Sequence, residues 1–338
     1  MAERKLEWIE VMRGGAALWV LLHHAKQSVD HFVSNMGPQP WFEHGYFGVD
    51  FFFVLSGFII AFAAQRMVER GRGLSDYAKA RVIRIYVPYL PVGIAMYFLY
   101  LLLPGMSESD RSPSVLTSLT LFPDNQPPAL SVAWTLVHEM MFYVLYSIFF
   151  VGRRSFRIIF CLWAVAILFF YWQGVVLPLA ARYLLSPINL CFVLGVVIFQ
   201  TNRRVQVRGF LLLPLVLIGV GLVIWQTMTA VPNRILVAAG FGCMVWAAAS
   251  PVSAKLMPWR WLMALGAASY SVYLVHNPLL SFLVRLVPQG VSVGIAYCAI
   301  SATALAGGMA YWYFYERPML VRVRNWVNGW RRAETGTA

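Results

Sequence analysis

The sequence contains few charged residues. Only 12% of its 338 residues are charged and 60% are hydrophobic, whereas soluble domains carry about a quarter charged residues. The mean hydropathy is +0.66. This composition excludes a water-soluble globular protein. It also excludes intrinsic disorder, which requires low hydrophobicity and high charge.

The sequence also lacks the motifs of several common enzyme classes. No Gly-x-Ser-x-Gly or P-loop pattern is present. The four cysteines lie in apolar runs without zinc or disulfide spacing, and they are Cys161, Cys191, Cys243 and Cys298. The histidines show no His-x-x-x-His spacing, so we expect no metal site. The first residues include acids and no small-residue cleavage site follows, so we expect no cleaved signal peptide.

What the sequence has instead is apolar runs long enough to cross a bilayer, which takes about 20 residues. We predict an all-α integral membrane protein, a bundle of about ten transmembrane helices. The predicted spans lie near 8–27, 45–65, 83–103, 132–151, 156–173, 183–200, 209–229, 233–250, 260–286 and 291–315.

The basic residues fix the predicted orientation. If both termini are cytoplasmic, 21 of the 27 Lys and Arg residues fall on the cytoplasmic side, five fall outside and Arg13 lies within the first span. This asymmetry is typical of membrane proteins. It also accounts for the net charge of +13 without a nucleic-acid partner.

Ionisable side chains inside spans are costly and mark candidate functional sites. Arg13 and His24 lie three turns apart on one face of the first span, about 16 Å along the helix. A cation therefore lies in the inner half and an imidazole in the outer half. The alternative is that Arg13 pairs with Glu10 and that His24 caps the helix end.

Two carboxylates are predicted near the depth of His24. Asp50 lies in the outer half of the second span, and Glu139 lies about two turns into the fourth. A carboxylate at that depth must pair or become protonated. A structural ion pair is the alternative to a catalytic role for Glu139.

Polar residues also mark the third and ninth spans. Arg81 and Arg84 lie one turn apart at the cytoplasmic mouth of the third span, where they are either topogenic charge or a clamp for a phosphorylated ligand. Ser269, Tyr273 and His276 share one face of the ninth span. A hydrogen-bonded interhelical histidine is the alternative to a catalytic one.

Together these segments resemble the acyltransferase-3 family of membrane O-acyltransferases, and most closely its exopolysaccharide acetyltransferase branch. The matching motifs are Arg13 with His24, Gly48 to Phe58, Arg81 to Tyr89, Trp134 to Tyr143, Ser269 to Pro278, and Glu316 to Pro318. The arginine motif has one residue more before its proline than the family pattern.

The resemblance implies an O-acetyltransferase of the bacterial inner membrane. Its donor substrate would be acetyl-CoA or another short acyl-CoA, with no bound cofactor. Its acceptor would be a hydroxyl of an envelope or secreted glycan, free or lipid-linked. The acyltransferase domain would cover residues 1–318, and residues 319–338 would form a short basic cytoplasmic tail.

The residues then take expected roles. Arg81 and Arg84 would hold the CoA phosphates, with Arg13 beside the pantetheine arm. His24 would act as general base or as a transient acyl nucleophile, oriented by Asp50 or Glu139. The acceptor path would be lined by Trp134, Tyr270, Tyr273 and His276.

Two other classes of protein compete with this interpretation. A transporter or flippase of a glycan or lipid is also rich in intramembrane charge, but no internal repeat or pair of broken helices is present. A non-catalytic scaffold would not explain charges at one depth on three spans.

Overall fold

The computed structural model describes residues 7–37, 39–103, 112–204, 209–229, 233–251, 253 and 258–334. Within these ranges every regular element is helical. The α-helices are α1 (Glu7–Phe32), α2 (Pro40–Glu43), α3 (Phe47–Glu69), α4 (Leu74–Leu102), α5 (Val115–Thr120), α6 (Trp134–Tyr146), α7 (Ile148–Val151), α8 (Arg153–Gln173), α9 (Leu179–Leu184), α10 (Asn189–Arg204), α11 (Gly209–Thr227), α12 (Arg234–Ala248), α13 (Arg260–Val284), α14 (Val293–Tyr311) and α15 (Arg317–Glu334).

Each predicted span coincides with a helix or with consecutive helices. Six helical segments of the described chain are long and apolar enough to cross a membrane, and they are Phe47–Glu69, Leu74–Leu102, Ser131–Val151, Arg153–Gln173, Leu179–Arg204 and Val293–Val327. The chain is therefore an all-α, multi-pass membrane protein. The count of ten and the orientation of the termini stay predictions.

Two boundaries differ from the predicted ones. Helix α4 begins at Leu74 rather than near residue 83, so Arg81 and Arg84 lie inside the helix. The last span does not stop near residue 315, because a π-helical turn, Trp312–Glu316, leads directly into α15. Pro318 directly follows this turn and has no N–H to donate, so it interrupts the hydrogen bonding of the helix at that point. The predicted boundary at residue 318 thus falls within a continuous helix.

Helices α1 and α13 approach each other closely and run parallel. A Cβ on Gly266 would lie 2.3 Å from the backbone oxygen of Glu10, and a Cβ on Gly14 would lie 2.9 Å from the nitrogen of Gly266. Small residues permit such contacts between membrane helices. Ten residues further along each helix, His24 meets His276. The glycine contact therefore sets the register that brings the two histidines together.

Helices α3 and α10 form a second parallel pair. The Phe53 and Phe192 rings stack with centroids 4.3 Å apart. A Cβ on Gly57 would lie 2.2 Å from the oxygen of Phe192, so close helix packing accounts for this glycine. Near the ends of both helices, Glu69 forms an ion pair with Arg203 at 3.7 Å.

Pro91 in α4 leaves one backbone carbonyl without a hydrogen-bond donor, and a tyrosine of the last span supplies that donor. Pro91 lacks an N–H, so the carbonyl of Val87 has no partner within the helix. The Tyr315 hydroxyl donates to that carbonyl at 3.4 Å, and the Tyr311 hydroxyl donates to the Pro88 oxygen at 2.8 Å. These bonds fix the π-helical turn beside the middle of α4.

Candidate active site

A cavity lies between α1, α3, α4, α6 and α13. We call it the inner cavity, and its polar lining consists of Arg13, Ser56, Arg84, Thr135, Glu139, Tyr270 and Tyr273. Two arginines and a carboxylate thus face one enclosed space. Because charges are costly in such surroundings, this grouping marks a candidate site rather than ordinary packing.

Arg84 is held in the wall of this cavity by the last span. Its Nη1 donates to Oε1 of Glu316 at 2.7 Å, and its guanidinium lies 5.2 Å from the centroid of the Tyr270 ring. The other oxygen of Glu316 accepts from Ser271 Oγ at 2.6 Å. Glu316 is only 1% exposed, so both of its oxygens are occupied by fixed donors.

A second, larger space lies on the other side of Arg84. The lining of this basic vestibule includes Arg72, Lys79, Arg81, Arg84 and Arg324, with Asp76 as its carboxylate. Five cations around one cleft favour a polyanionic ligand, since guanidinium groups bind phosphate bidentately. Arg84 lines both spaces, so its side chain lies between the vestibule and the inner cavity.

Helix α15 contributes to this vestibule. Arg324 and Val327 line it together with residues of α3 and α4. The sequence analysis assigned both residues to a basic tail and missed this contribution. Because α15 is continuous with the π-helical turn, the position of Arg324 is tied to that of Glu316.

His24 lies beyond the other end of the inner cavity. Its Nδ1 is 2.9 Å from Nε2 of His276, and the two rings lie edge to edge with their planes 25° apart and their centroids 5.1 Å apart. Nδ1 of His276 is 2.7 Å from the carbonyl oxygen of Tyr273. His24 is partly exposed, whereas His276 is completely buried.

Tyr273 stands between the cavity and the histidines. Its ring lines the inner cavity and lies 5.6 Å from the His276 ring, centroid to centroid. Its hydroxyl is 3.0 Å from Oγ1 of Thr135, and Phe52 packs edge-on against it. The Tyr273 ring therefore contacts both the inner cavity and the His276 ring, and His276 in turn contacts His24.

The two carboxylates do not take the expected place beside His24. Glu139 accepts a hydrogen bond from the Tyr143 hydroxyl at 2.6 Å and lines the inner cavity. Asp50, only 1% exposed, forms an ion pair with Arg234 at 3.1 Å. Neither is seen to contact His24, because similar depth does not put side chains on facing sides of the bundle, so an orienting role for either carboxylate stays a prediction. His276 occupies that position.

The remaining candidates lie apart from His24. Trp134 packs edge-on against His138, centroid to centroid 5.8 Å, and is partly exposed. His138 contacts Asn189, with its Nδ1 3.0 Å from Oδ1. The Tyr270 hydroxyl donates to the Ile85 carbonyl at 3.1 Å. In the ranges that the structure describes, no three His, Cys, Asp or Glu side chains cluster as metal ligands would.

Glu316 is the main site residue that the sequence analysis missed. The predicted last span ended at residue 315, so Glu316 was counted as a motif residue and not as an intramembrane charge. If the predicted span had been one turn longer, Glu316 would have been recognised as a charged residue within the membrane. Ser271 was missed because a serine in an apolar helix carries no distinctive pattern.

Comparison with known proteins agrees with this architecture. The family model of the acyltransferase-3 family, described as an acyltransferase domain, matches residues 6–313. The chain belongs to this family, and it is a membrane O-acyltransferase.

The chain is also similar to the exopolysaccharide production protein ExoZ of Rhizobium meliloti (strain 1021). The two are 29% identical over 336 aligned positions, which cover 90% of this chain and 96% of the relative. No solved structure matches the chain significantly.

We expect Glu316→Gln to destabilise the protein, because the substitution leaves the Arg84 charge without its buried counter-ion. Removing one partner of a buried pair costs about 3–5 kcal/mol, and the partial exposure of Arg84 places the expected loss at or below about 3 kcal/mol. The apparent unfolding temperature in detergent measures this loss. Glu69→Gln is the matched control, since its pair with Arg203 is half exposed. Equal unfolding temperatures for both variants would contradict a structural role for Glu316.

Proposed function

We propose that this protein transfers an acetyl or other short acyl group from cytoplasmic acyl-CoA to a hydroxyl of an envelope glycan or exopolysaccharide. The family membership supports acyl transfer, and the name of the Rhizobium relative supports a polysaccharide acceptor. The enzyme would act in the bacterial inner membrane, with the acceptor either free or lipid-linked.

This proposal rests on the position of Arg84, which lines both the basic vestibule and the inner cavity. The basic vestibule suits the phosphates of CoA, and the inner cavity behind Arg84 suits a slender acyl-pantetheine arm. The vestibule adjoins the connection between α3 and α4, which the distribution of basic residues predicts to be cytoplasmic. A donor entering there would meet Arg72, Lys79, Arg81 and Arg324 first and Arg84 last.

The inner cavity would then guide the acyl group towards His24. Arg13 lies about 16 Å from His24 along α1, a length that an extended pantetheine arm can span. Arg13 and Glu139 would contact the polar amides of that arm. Tyr273 would have to shift aside for the thioester to approach the histidine pair, since its ring lines the cavity and contacts His276.

At His24 we propose general-base catalysis. A ring nitrogen takes the proton of the acceptor hydroxyl while the hydroxyl oxygen attacks the thioester carbonyl carbon. The carbon–sulfur bond breaks, and the CoA sulfur takes the proton from His24, which gives the ester and free CoA. In the alternative route the ring nitrogen attacks the thioester carbon and displaces CoA as its thiolate. The acceptor hydroxyl then attacks the acyl-histidine, the carbon–nitrogen bond breaks, and the hydroxyl proton goes to the CoA thiolate.

The remaining candidates take supporting roles in this proposal. Asp50, paired with Arg234 at the outer end of α3, would fix α3 against α12. Trp134, Tyr270, Tyr273 and His276 were predicted to line the acceptor path. We keep that role for Trp134, which is exposed near the outer end of α6, and place Tyr270 and Tyr273 on the donor side.

We expect His24→Ala to abolish transfer of label from acetyl-labelled CoA to de-O-acetylated exopolysaccharide fragments. The variant removes the proposed base or nucleophile and leaves the α1–α13 contact at Gly14 intact. Label transfer by the purified, lipid-reconstituted protein measures this effect, and His31→Ala on the same helix is the control. Wild-type transfer by the folded His24→Ala variant would refute the role of His24. Binding of the glycan without any use of acetyl-CoA by the wild type would favour a transporter.

We expect Arg324→Ala to raise the KM for acetyl-CoA about tenfold and to leave kcat nearly unchanged. A hydrogen bond to a charged group is worth about 1.5–3 kcal/mol, and the exposure of Arg324 puts the loss at the low end. Arg322→Ala is the matched control, because Arg322 is also exposed on α15 but does not line the vestibule. Equal KM values for the two variants would exclude Arg324 from donor binding.

A further inference from the structure

A chain of three groups ends at His24. The carbonyl oxygen of Tyr273 lies 2.7 Å from Nδ1 of His276. Nε2 of His276 lies 2.9 Å from Nδ1 of His24. Both distances are those of ordinary hydrogen bonds, so each contact requires one donor and one acceptor.

The first contact determines which nitrogen of His276 carries its proton. A carbonyl oxygen only accepts hydrogen bonds, so Nδ1 of His276 must be the donor. In a neutral imidazole the other nitrogen is then an acceptor. His276 is 0% exposed, and no ion pair in the described ranges includes it. A second proton would bury an unpaired charge, which is costly.

The second contact makes the tautomer of His24 depend on that of His276. Because Nε2 of His276 accepts, Nδ1 of His24 must donate. The proton of neutral His24 therefore lies on Nδ1, and Nε2 keeps its lone pair. We propose that His276 is the positioning residue of the active site, which fixes the tautomer of His24 so that Nε2 is the reactive nitrogen.

The neighbouring histidine does not compete for His24. His23 directs its Nδ1 at the Phe42 carbonyl, 2.7 Å away, and its Nε2 accepts from the Gln27 amide at 3.1 Å. Both nitrogens of His23 are thus engaged, although its ring lies 5.3 Å from that of His24. The hydrogen bond from His24 therefore goes to His276.

The consequence for catalysis rests on the proposed function. In the general-base route, Nε2 of His24 takes the hydroxyl proton as the oxygen attacks the thioester carbon. Nδ1 keeps its proton throughout and donates it to His276 more strongly while the ring is charged. The proton on Nε2 then passes to the departing CoA sulfur. His276 thus does for His24 what the carboxylate does in a Ser-His-Asp triad, without adding a buried negative charge.

We call the hydrogen-bonded chain from the Tyr273 carbonyl through His276 to His24 the relay. Tyr273 links this relay to the donor side. Its backbone oxygen fixes the tautomer of His276, while its ring lines the inner cavity. The backbone carbonyl is held by the helix, so the ring can change rotamer to admit the thioester while the relay stays in place. The register of the relay comes from the glycine contact of α1 with α13.

The direct test is nitrogen NMR of the full-length protein in lipid nanodiscs, with the histidine rings labelled with nitrogen-15. The chain has six histidines, and comparison with His24→Gln identifies the signals of His24. We expect a protonated Nδ1 and an unprotonated Nε2. A proton on Nε2 of His24 would overturn the proposal.

The readout does not depend on turnover, so the two proposals can fail separately. The expected tautomer in a protein that transfers no acetyl group would support the relay and refute the proposed function. Acetyl transfer by a protein whose His24 has the opposite tautomer would refute the relay and support the proposed function.

Two variants of His276 test the catalytic consequence. His276→Gln keeps an acceptor oxygen within reach of His24, whereas His276→Leu removes it. We expect His276→Leu to lower kcat at least about 100-fold, in the range of acid–base effects, with the KM for acetyl-CoA unchanged. His276→Gln should recover a large part of that loss. Equal losses in both variants, or wild-type kcat in His276→Leu, would overturn the positioning role.

His138→Leu is the packing control for these variants. It also removes a buried imidazole, but one that contacts Asn189 rather than His24. We expect its kcat per folded protein to stay near that of the wild type, so that a loss confined to His276→Leu reports on the relay.

Discussion

The buried ion pair between Arg84 and Glu316 is the contact on which the site depends. It ties the middle of α4 to the π-helical turn of the last span, and it keeps a guanidinium at the boundary between two spaces. A buried pair of this kind is weak evidence for stability, because desolvation offsets much of the attraction. The pair instead fixes the position of the Arg84 guanidinium, which in the proposed function lies on the path of the phosphorylated donor.

The second constraint is the close approach of α1 and α13. Two glycines let the helices touch at one end, and their parallel register brings two histidines together about 15 Å further along. The same two helices supply Arg13 and Tyr273 to the inner cavity. The inner cavity and the histidine pair are thus both built on this one helix pair.

Much of this arrangement could be predicted from the sequence. Apolar runs placed the helices, and the ionisable residues within them identified Arg13, His24, Arg84 and Glu139. The partners could not be predicted in the same way. Spacing along a chain gives depth in the membrane, but it does not give the side of the bundle that a residue faces. Asp50 and His24 have similar predicted depths, yet Asp50 pairs with Arg234.

Other parts of the site depend on how helices end. A proline after Glu316 normally indicates a helix boundary, which hid both Glu316 and Arg324. The π-helical turn Trp312–Glu316 contains one residue more per turn than an α-helix, and the helix continues beyond it. The polar side chains of such a turn can then face inwards although the surrounding pattern indicates an end.

We propose that the acyl donor and the acceptor hydroxyl reach the enzyme from opposite sides of the membrane. The most direct measurement uses sealed vesicles that contain the protein, with acetyl-labelled CoA outside and exopolysaccharide fragments both outside and trapped inside. After external fragments are removed, we predict label on the trapped fragments. Label only on fragments that share a compartment with acetyl-CoA would contradict this account.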